Sequence, residues 1–461
     1  MTPAAVDAQA PLYPPTVTPP EHPLSLPRFL LRFVRNPLLC LPRAVYEEPL
    51  VVYAKGRASI VWVTDPALVE RILLGEPALF PKTPLEKRVF AETLGDGILT
   101  SEGASWRWQR RTAAPLFRHA EILSYIPAMA EAADAQLAQG RRGAAGGDRR
   151  VDRDMTAITF NVIARTMFWG DAVAAGPVIQ RAGAQFLGRI TWEIAAALLR
   201  LPPWLWHPGK RTMHLAARDL RSAVAAMLEH RRTSGLDSDD LMGRLMRVRD
   251  PDTDTPMSDK QLIDNLLTFL VAGHETTAKA LTWTLYLLAR APEWQERVRA
   301  EVRDVAGTAP IGAEHLDRLR MTRQVLQEAM RLYPPAPVLT RVTSAPVELA
   351  GHTIGPGVLI NMPIFAIHRH RKLWDDPERF DPERFTPERE KKLLRTQFMP
   401  FGFGQRICIG MSFAMIEATV LLAMLVRGAH FAWDGHHAPE PVSRVTLRPK
   451  GGMPLIVTHI A

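Results

Sequence analysis

A mainly α fold with a small β-rich portion is predicted by three features of the 461-residue sequence. Apolar residues recur at three-to-four spacing over 103–139, 151–170, 212–232 and 258–290, the period of one helix face. Strand signals are short and confined to 49–64 and 345–363. Hydrophobic residues make up 47% and charged residues 23%, which excludes wholesale disorder and supplies enough apolar material for a sizeable core.

The first 23 residues are rich in proline and lack the apolar centre of a secretory signal. They read as an extension, mobile or wrapped, ahead of a single domain over 24–461. The stretch "LPRFLLRFVRNPLLCLPRAV" (26–45) is apolar, but Arg28, Arg32, Arg35 and three prolines interrupt it. It falls short of the roughly 18 to 20 uncharged residues that span a bilayer, so no transmembrane anchor is expected. It reads as an amphipathic helix packed on the fold, the alternative being one that grazes a membrane surface.

Next, "PLVVYAKGRASIVWVT" (49–64) alternates about a Lys-Gly centre as a strand hairpin, with a helix beginning at Asp65. Polar breaks at 140–150 and 249–257 read as surface loops. Ser258 and Gln261 form a capping box for the 258–290 helix, whose length of about 50 Å carries it across the molecule. Its middle, "FLVAGHETTAKAL", interrupts an apolar stripe with Gly273, His274, Glu275, Thr276 and Thr277. That interruption needs a reason, because a mid-helix glycine costs about 1 kcal/mol and threonine hydroxyls compete for helix carbonyls. In 345–363, Gly351, Gly355 and Gly357 punctuate short strands.

The 57 basic residues exceed the 48 acidic ones, a net +9 that suits an acidic partner. Basic runs interleaved with aromatics for base stacking are not evident, so no nucleic acid is expected. Cys40 and Cys408 allow at most one disulfide, and a reduced, cytoplasmic setting fits best.

Cys408 lies in "PFGFGQRICIG" (400–410). A thiolate ligand needs backbone donors, a nearby positive charge and shelter from water, and Gly402, Gly404, Arg406 and Gly410 supply the means. The spacing Phe401-x-x-Gly404-x-Arg406-x-Cys408-x-Gly410 resembles the haem-binding loop of the cytochrome P450 family, in which the cysteine is the axial thiolate of haem b (iron protoporphyrin IX). Four further stretches carry the resemblance. Glu328-x-x-Arg331, with Arg384 in "FDPERF", resembles the family's Glu-Arg-Arg network, and two residues three apart on one helix face can pair. Trp106 and Arg110 in "WRWQRR" are four apart and resemble the helix that reaches a haem propionate, a role the resemblance also gives Arg341 and Arg406. Ala272-Gly273-x-Glu275-Thr276-Thr277 resembles the oxygen-activation sequence, where a local helix distortion leaves room for dioxygen and Glu275 with Thr276 forms an acid–alcohol pair.

The resemblance implies the cytochrome P450 fold and a monooxygenase that places one atom of dioxygen in an apolar small-molecule substrate. Its flavour is that of the fatty-acid-hydroxylase and microsomal branch. No reductase sequence is attached, so electrons are expected from a separate acidic ferredoxin or flavodoxin with its own reductase, docking where Arg107, Arg111, Lys391, Lys392 and Arg395 cluster. Candidate pocket residues are Thr93 and Leu94 in the loop before Trp106, Phe269 and Ala272 on the long helix, and Val338 and Leu339. The alternatives are a haem-thiolate isomerase, dehydratase or peroxygenase, and a non-catalytic haem-based sensor.

Overall fold

The computed structural model describes residues 10–55, 58–142, 148–168, 170–235, 238–250 and 253–460. The first nine residues, the Gly56 centre of the hairpin and the middles of both polar breaks lie outside the described residues. The fold is mainly α with small sheets. The hairpin forms as read, with Leu50–Lys55 antiparallel to Ala58–Val63 and Leu50 opposite Val63. Leu359–Met362 then adds in parallel, and Leu339–Val342 closes the four-stranded sheet. Asp65 caps the following helix by accepting from the Leu68 amide at 2.9 Å.

Asp259–Arg290 is the axis of the molecule. Its capping box is present: the Ser258 amide donates to Gln261 Oε1 at 2.9 Å and the Gln261 amide to Ser258 Oγ at 3.3 Å. Most of its residues are buried, against Val151–Met167 on one side and Arg320–Leu332 and Met411–Gly428 on others. Trp283 stacks on Tyr333 at 3.8 Å between ring centroids. Among the described residues one helix, Met411–Gly428, is long and apolar enough to cross a membrane, and most of it is buried in this core.

Two helical expectations change. The 103–139 stretch is four pieces, Gly103–Ala113, a 3-10 turn Ala114–Phe117, His119–Ser124 and Ile126–Arg142. Pro115 cannot continue a hydrogen-bond ladder, and the turn it starts aims Phe117 inward. Asp171–Leu198, unread in the sequence, is a 28-residue helix that contains Pro177 near its start.

Residues 10–23 pack on the body. Tyr333 donates its hydroxyl to Pro15 O at 2.6 Å, the Phe380 amide donates to Leu12 O at 2.9 Å, and Val17 is buried.

Candidate active site

Cys408 lies in a loop folded on itself. Its amide donates to Phe401 O at 3.0 Å, the Ile407 amide to Gly404 O at 3.1 Å and the Gly402 amide to Met399 O at 3.0 Å. Gly404 has φ +75°, and a Cβ there would sit 2.1 Å from Leu73 O, so glycine is required. The Gly410 amide lies close enough to the Cys408 sulfur to favour its charged form. Burial pushes the thiol up, while that amide and the Arg110 guanidinium oppose the shift, as they would favour a thiolate. The sulfur is deep among protein atoms yet reachable from a cleft, so Cys408 combines shelter with access.

The loop is held from behind by Glu328 and Arg331, both fully buried on Arg320–Leu332. All five guanidinium donors find acceptors: Glu328 Oε2 at 2.6 Å, Glu328 Oε1 at 2.8 Å, and the carbonyls of His368, Pro377 and Arg379 at 2.8, 2.7 and 3.0 Å. His368 passes the restraint on, since its Nε2 accepts from the Met399 amide at 3.0 Å, and Met399 O in turn accepts from Gly402. Burial first, then Arg331 and Arg369, push the His368 pKa down to about 3, so the ring stays a neutral acceptor. Arg384 joins loosely, 3.6 Å from Glu328 Oε1, with its Nη2 donating to Asp376 O.

A group of cations gathers beside the cysteine. The Arg406 guanidinium lies 3.9 Å from the centroid of the Trp106 ring, and Arg110 lies 5.8 Å from the same ring. Burial lowers the Arg406 pKa to about 10, with Glu102 opposing it and Arg341 adding to it. Arg406 Nη2 donates to Ser101 O at 2.8 Å, but its Nη1 is buried with no acceptor. Arg341, on Leu339–Val342, spends an N–H on Thr340 O. Lys82, which the sequence reading missed, joins them; burial lowers its pKa, Glu86 at 2.8 Å opposes that, and Arg406 and Arg341 add to the lowering. A buried guanidinium with an idle N–H among like charges is a site for anionic groups, and the two propionates of a haem fit it.

The long helix approaches through an aromatic bridge. Phe269 stacks on Phe117 at 5.9 Å, and Phe117 lies 3.5 Å from where a Gly410 Cβ would be. Gly273 faces Val151–Met167, where a Cβ would meet Ile163 at 2.9 Å, and His274 meets Phe160 edge-on at 5.4 Å. Helix packing therefore explains those two residues. The helix runs unbroken through 273–277, so the expected distortion is not seen: Thr276 Oγ1 donates to Ala272 O at 2.8 Å and Thr277 Oγ1 to Gly273 O at 3.4 Å.

Glu275 and Thr276 face different ways. Glu275 Oε1 accepts from Arg448 at 3.0 Å and Thr446 at 3.3 Å and lies 3.6 Å from Lys279. Burial alone would raise its pKa, but Lys279, Arg448, His274 and the Thr446 hydroxyl together hold it below the usual carboxylate range. Glu417, also missed, is the opposite case. It is buried on Met411–Gly428, and burial pushes its pKa well above the usual range with only the Thr277 hydroxyl opposing. Neither of its oxygens has a geometric partner, and Thr277 spends its hydroxyl on Gly273 O, so burial favours the neutral form of Glu417 beside the threonines.

The pocket candidates are dispersed. Thr93 and Leu94 end the helix Pro84–Leu94 rather than lying in the following loop, and the backbone turns against Asp264 immediately after them. Ala272 and Thr276 share the accessible face of the long helix near Phe269. Leu339 touches Gly402 beside the cysteine loop. Val338 instead lines a separate cavity of about 100 Å³ with Phe29, Phe33 and Trp62.

The family model described as Cytochrome P450 matches residues 20–455. Cyclooctat-9-en-7-ol 5-monooxygenase of Streptomyces melanosporofaciens is 33% identical over 85% of this chain and 84% of its own. Cytokinin hydroxylase of Arabidopsis thaliana is 32% identical over 87% and 81%. A solved cytochrome P450DA haem domain superposes with a TM-score of 0.81 at 25% identity, covering 97% of this chain and 99% of its own. With the family model spanning nearly every described residue and relatives above 30% identity over most of their length, the chain belongs to the cytochrome P450 family, whose cofactor is haem b.

Proposed function

We propose that Cys408 would supply the thiolate that ligates the haem iron of this monooxygenase, that Arg406, Arg341, Arg110 and Trp106 would hold the haem propionates, and that Phe401 and Gly410 shape the ligand loop. The observation that carries the reading is the Cys408 loop itself, closed by the Cys408 amide on Phe401 O and fastened through His368 to Glu328 and Arg331. Bound haem b supplies dioxygen activation, with thiolate donation favouring O–O cleavage. The protein's part is to shelter the sulfur, neutralise the carboxylates and order a proton path. Thr276, on the accessible helix face, is the hydroxyl of that path. Glu275 stands further back as an ionised acceptor, and it must leave Arg448 and take up a proton from solvent before it can hand one on. Relatives named as monooxygenases and oxidases favour this reading over an isomerase or a sensor.

Phe269, Ala272 and Leu339 give the pocket an apolar lining, with Thr93, Leu94 and Val338 at greater remove. The relatives' names give the fatty-acid-hydroxylase branch no support, since those that describe substrates print cyclooctat-9-en-7-ol, cytokinin and 11-oxo-beta-amyrin. An apolar ring compound is accordingly the substrate class. Two free cysteines, one of them buried, support a reducing cytoplasmic setting.

The test is product formed per NAD(P)H consumed with surrogate redox partners, hydrogen peroxide being assayed alongside. Thr276→Ala should keep haem binding and first-electron reduction but divert electrons from product to peroxide. General acid–base contributions are about 10²- to 10⁴-fold, and alternative waters recover part of that. Thr277→Ala, rotated by about 100° around the helix, should couple better than the Thr276 variant. Wild-type coupling in Thr276→Ala would remove Thr276 from the path.

A redox partner is implied by the family, and its acidic ferredoxin or flavodoxin type is supported by charge. Arg107, Arg111, Lys391 and Lys392 are exposed, and Arg395 lies over the Phe403 ring of the cysteine loop at 5.2 Å while pairing with Glu70. Reversing Arg107 and Arg111 together to Glu should slow reduction by such a partner about tenfold at low salt and flatten its salt dependence. Unchanged stopped-flow reduction would locate docking elsewhere.

A further inference from the structure

Asp264, in the second turn of the long helix, is fully buried and serves three donors. Its Oδ1 accepts from Arg221 Nη1 at 2.7 Å, and its Oδ2 from the Asp96 amide at 2.9 Å and Lys260 Nζ at 3.0 Å. Arg221 comes from the helix Lys210–Ser234, and the same Nη1 also donates to Thr93 O at 3.1 Å. Asn265, the next residue of the long helix, accepts from the Ile98 amide at 2.9 Å. Two glycines make room for this approach. Gly95 has φ +50° and a Cβ there would strike the Asp264 carboxylate, while a Cβ on Gly97 would lie 2.6 Å from both Asp264 O and Thr268 Oγ1. The backbone of 93–98 is thus fastened to the helix over the turn that leads to Phe269.

The same segment is held at its other end by the cations beside the cysteine. Lys82 donates to Leu99 O at 2.6 Å and Arg406 to Ser101 O at 2.8 Å. Thr93 to Ser101 therefore bridges from the helix turn beside Phe269 to Arg406, along the edge of the cleft. Joining the two helices does not require Asp264. Arg232 already meets Asp259 at 2.9 and 2.6 Å between the same helices, and that pair lies largely in solvent. What Asp264 adds is the third element, the 93–98 backbone.

We propose, on the footing that haem is held at Cys408, that Asp264 is a positioning residue for the substrate: it holds 93–98 against the long helix, sets the width of the pocket beside Phe269, and so selects the bulk of the ring compound admitted. A segment with glycines at 95 and 97 takes its position from its anchors, and hydrogen bonds to an ionised carboxylate are the strongest and most directional of them. Losing Asp264 frees the near half of the segment, while Lys82 and Arg406 keep the far half. Arg221 and Lys260 both reach solvent, so neither charge is stranded and the fold survives.

Two iron-binding probes of different bulk test this, imidazole and 4-phenylimidazole, titrated into the haem-loaded full chain and followed by the shift of the haem band. Imidazole needs the iron alone, whereas the phenyl ring also needs the wall. Asp264→Ala should weaken 4-phenylimidazole binding about tenfold and imidazole binding less than about twofold, with the ferrous–CO band unchanged. Asp264→Asn keeps an acceptor for the Asp96 amide and should fall between the alanine variant and the wild type. Asp259→Ala cuts the exposed tie between the same helices and should change neither probe. Should Asp264→Ala not retain haem, Arg221→Gln opens the same anchor from its partly exposed side and carries the same expectation. Unchanged 4-phenylimidazole affinity overturns the proposal. Equal losses for the two probes also overturn it, since they would make Asp264 a support of the haem site at large. Failure of both Asp264→Ala and Arg221→Gln to hold haem assigns Asp264 to folding and overturns it as well. Wild-type protein that binds neither probe fails differently: haem at Cys408 is then overturned, and this role of Asp264 with it.

Discussion

Cys408→Ser is expected to abolish the red-shifted ferrous–CO band of a thiolate-ligated haem, and Cys40→Ser to leave that band at full height. The two cysteines differ in every feature that makes a sulfur a ligand. Cys40 is buried in the Pro37–Cys40 turn, its thiol donates to Phe29 O, and burial pushes its pKa up to about 12. Arg32 opposes that rise too weakly to offset burial, and the thiol is spent as a donor, so Cys40 remains a small apolar filler. Cys408 has the Gly410 backbone and Arg110 favouring its charged form, and its exposure gives it access. A serine oxygen is a harder, more basic donor than a thiolate sulfur, so its ligation would not reproduce the band. Persistence of the band in Cys408→Ser, or its loss in Cys40→Ser, would move the haem site.

What could be read beforehand was what local sequence controls. The Ser258–Gln261 capping box, the Asp65 cap and the hairpin are decided within a few residues, and the Glu328–Arg331 pair is set by helix geometry alone. The cysteine loop was legible through the resemblance of its spacing. Features fixed by distant chain were not. Glu275 turns towards Arg448 on a strand more than 170 positions away, so the acid–alcohol pair is divided by a contact that no local pattern announces. His368 acts through its carbonyl and a neutral ring nitrogen, which leave no compositional trace in "FAIHRHRK". The Asp171–Leu198 helix hides because Pro177, inside its second turn, and many small residues blur its period. Glu417 did carry a signal: an acid inside "MSFAMIEATVLLAMLV" is costly to bury unless neutral.

Glu328→Ala should be the most damaging substitution away from the cysteine, costing about 3–5 kcal/mol of folding stability. The side chain is fully buried and accepts two Arg331 bonds and the Asp381 amide at 2.8 Å, so removing it strands two guanidinium N–H groups and an uncompensated positive charge. Solvent cannot repair the loss as it would at the surface. An exposed pair of the same bidentate form supplies the control: Arg244 meets Asp239 at 2.9 and 2.6 Å with the carboxylate largely in water, and Asp239→Ala should cost no more than about 1 kcal/mol. Denaturant midpoints at unchanged slope measure both. Because Arg331 reaches the cysteine loop through His368 and Met399, Glu328→Ala should also lose the thiolate CO band at denaturant concentrations that leave far-ultraviolet helicity intact. Equal losses for the buried and exposed pairs would mean that burial is not what gives Glu328 its weight. Band and helicity disappearing together would confine the network to general stability and leave the cysteine loop to hold its own shape.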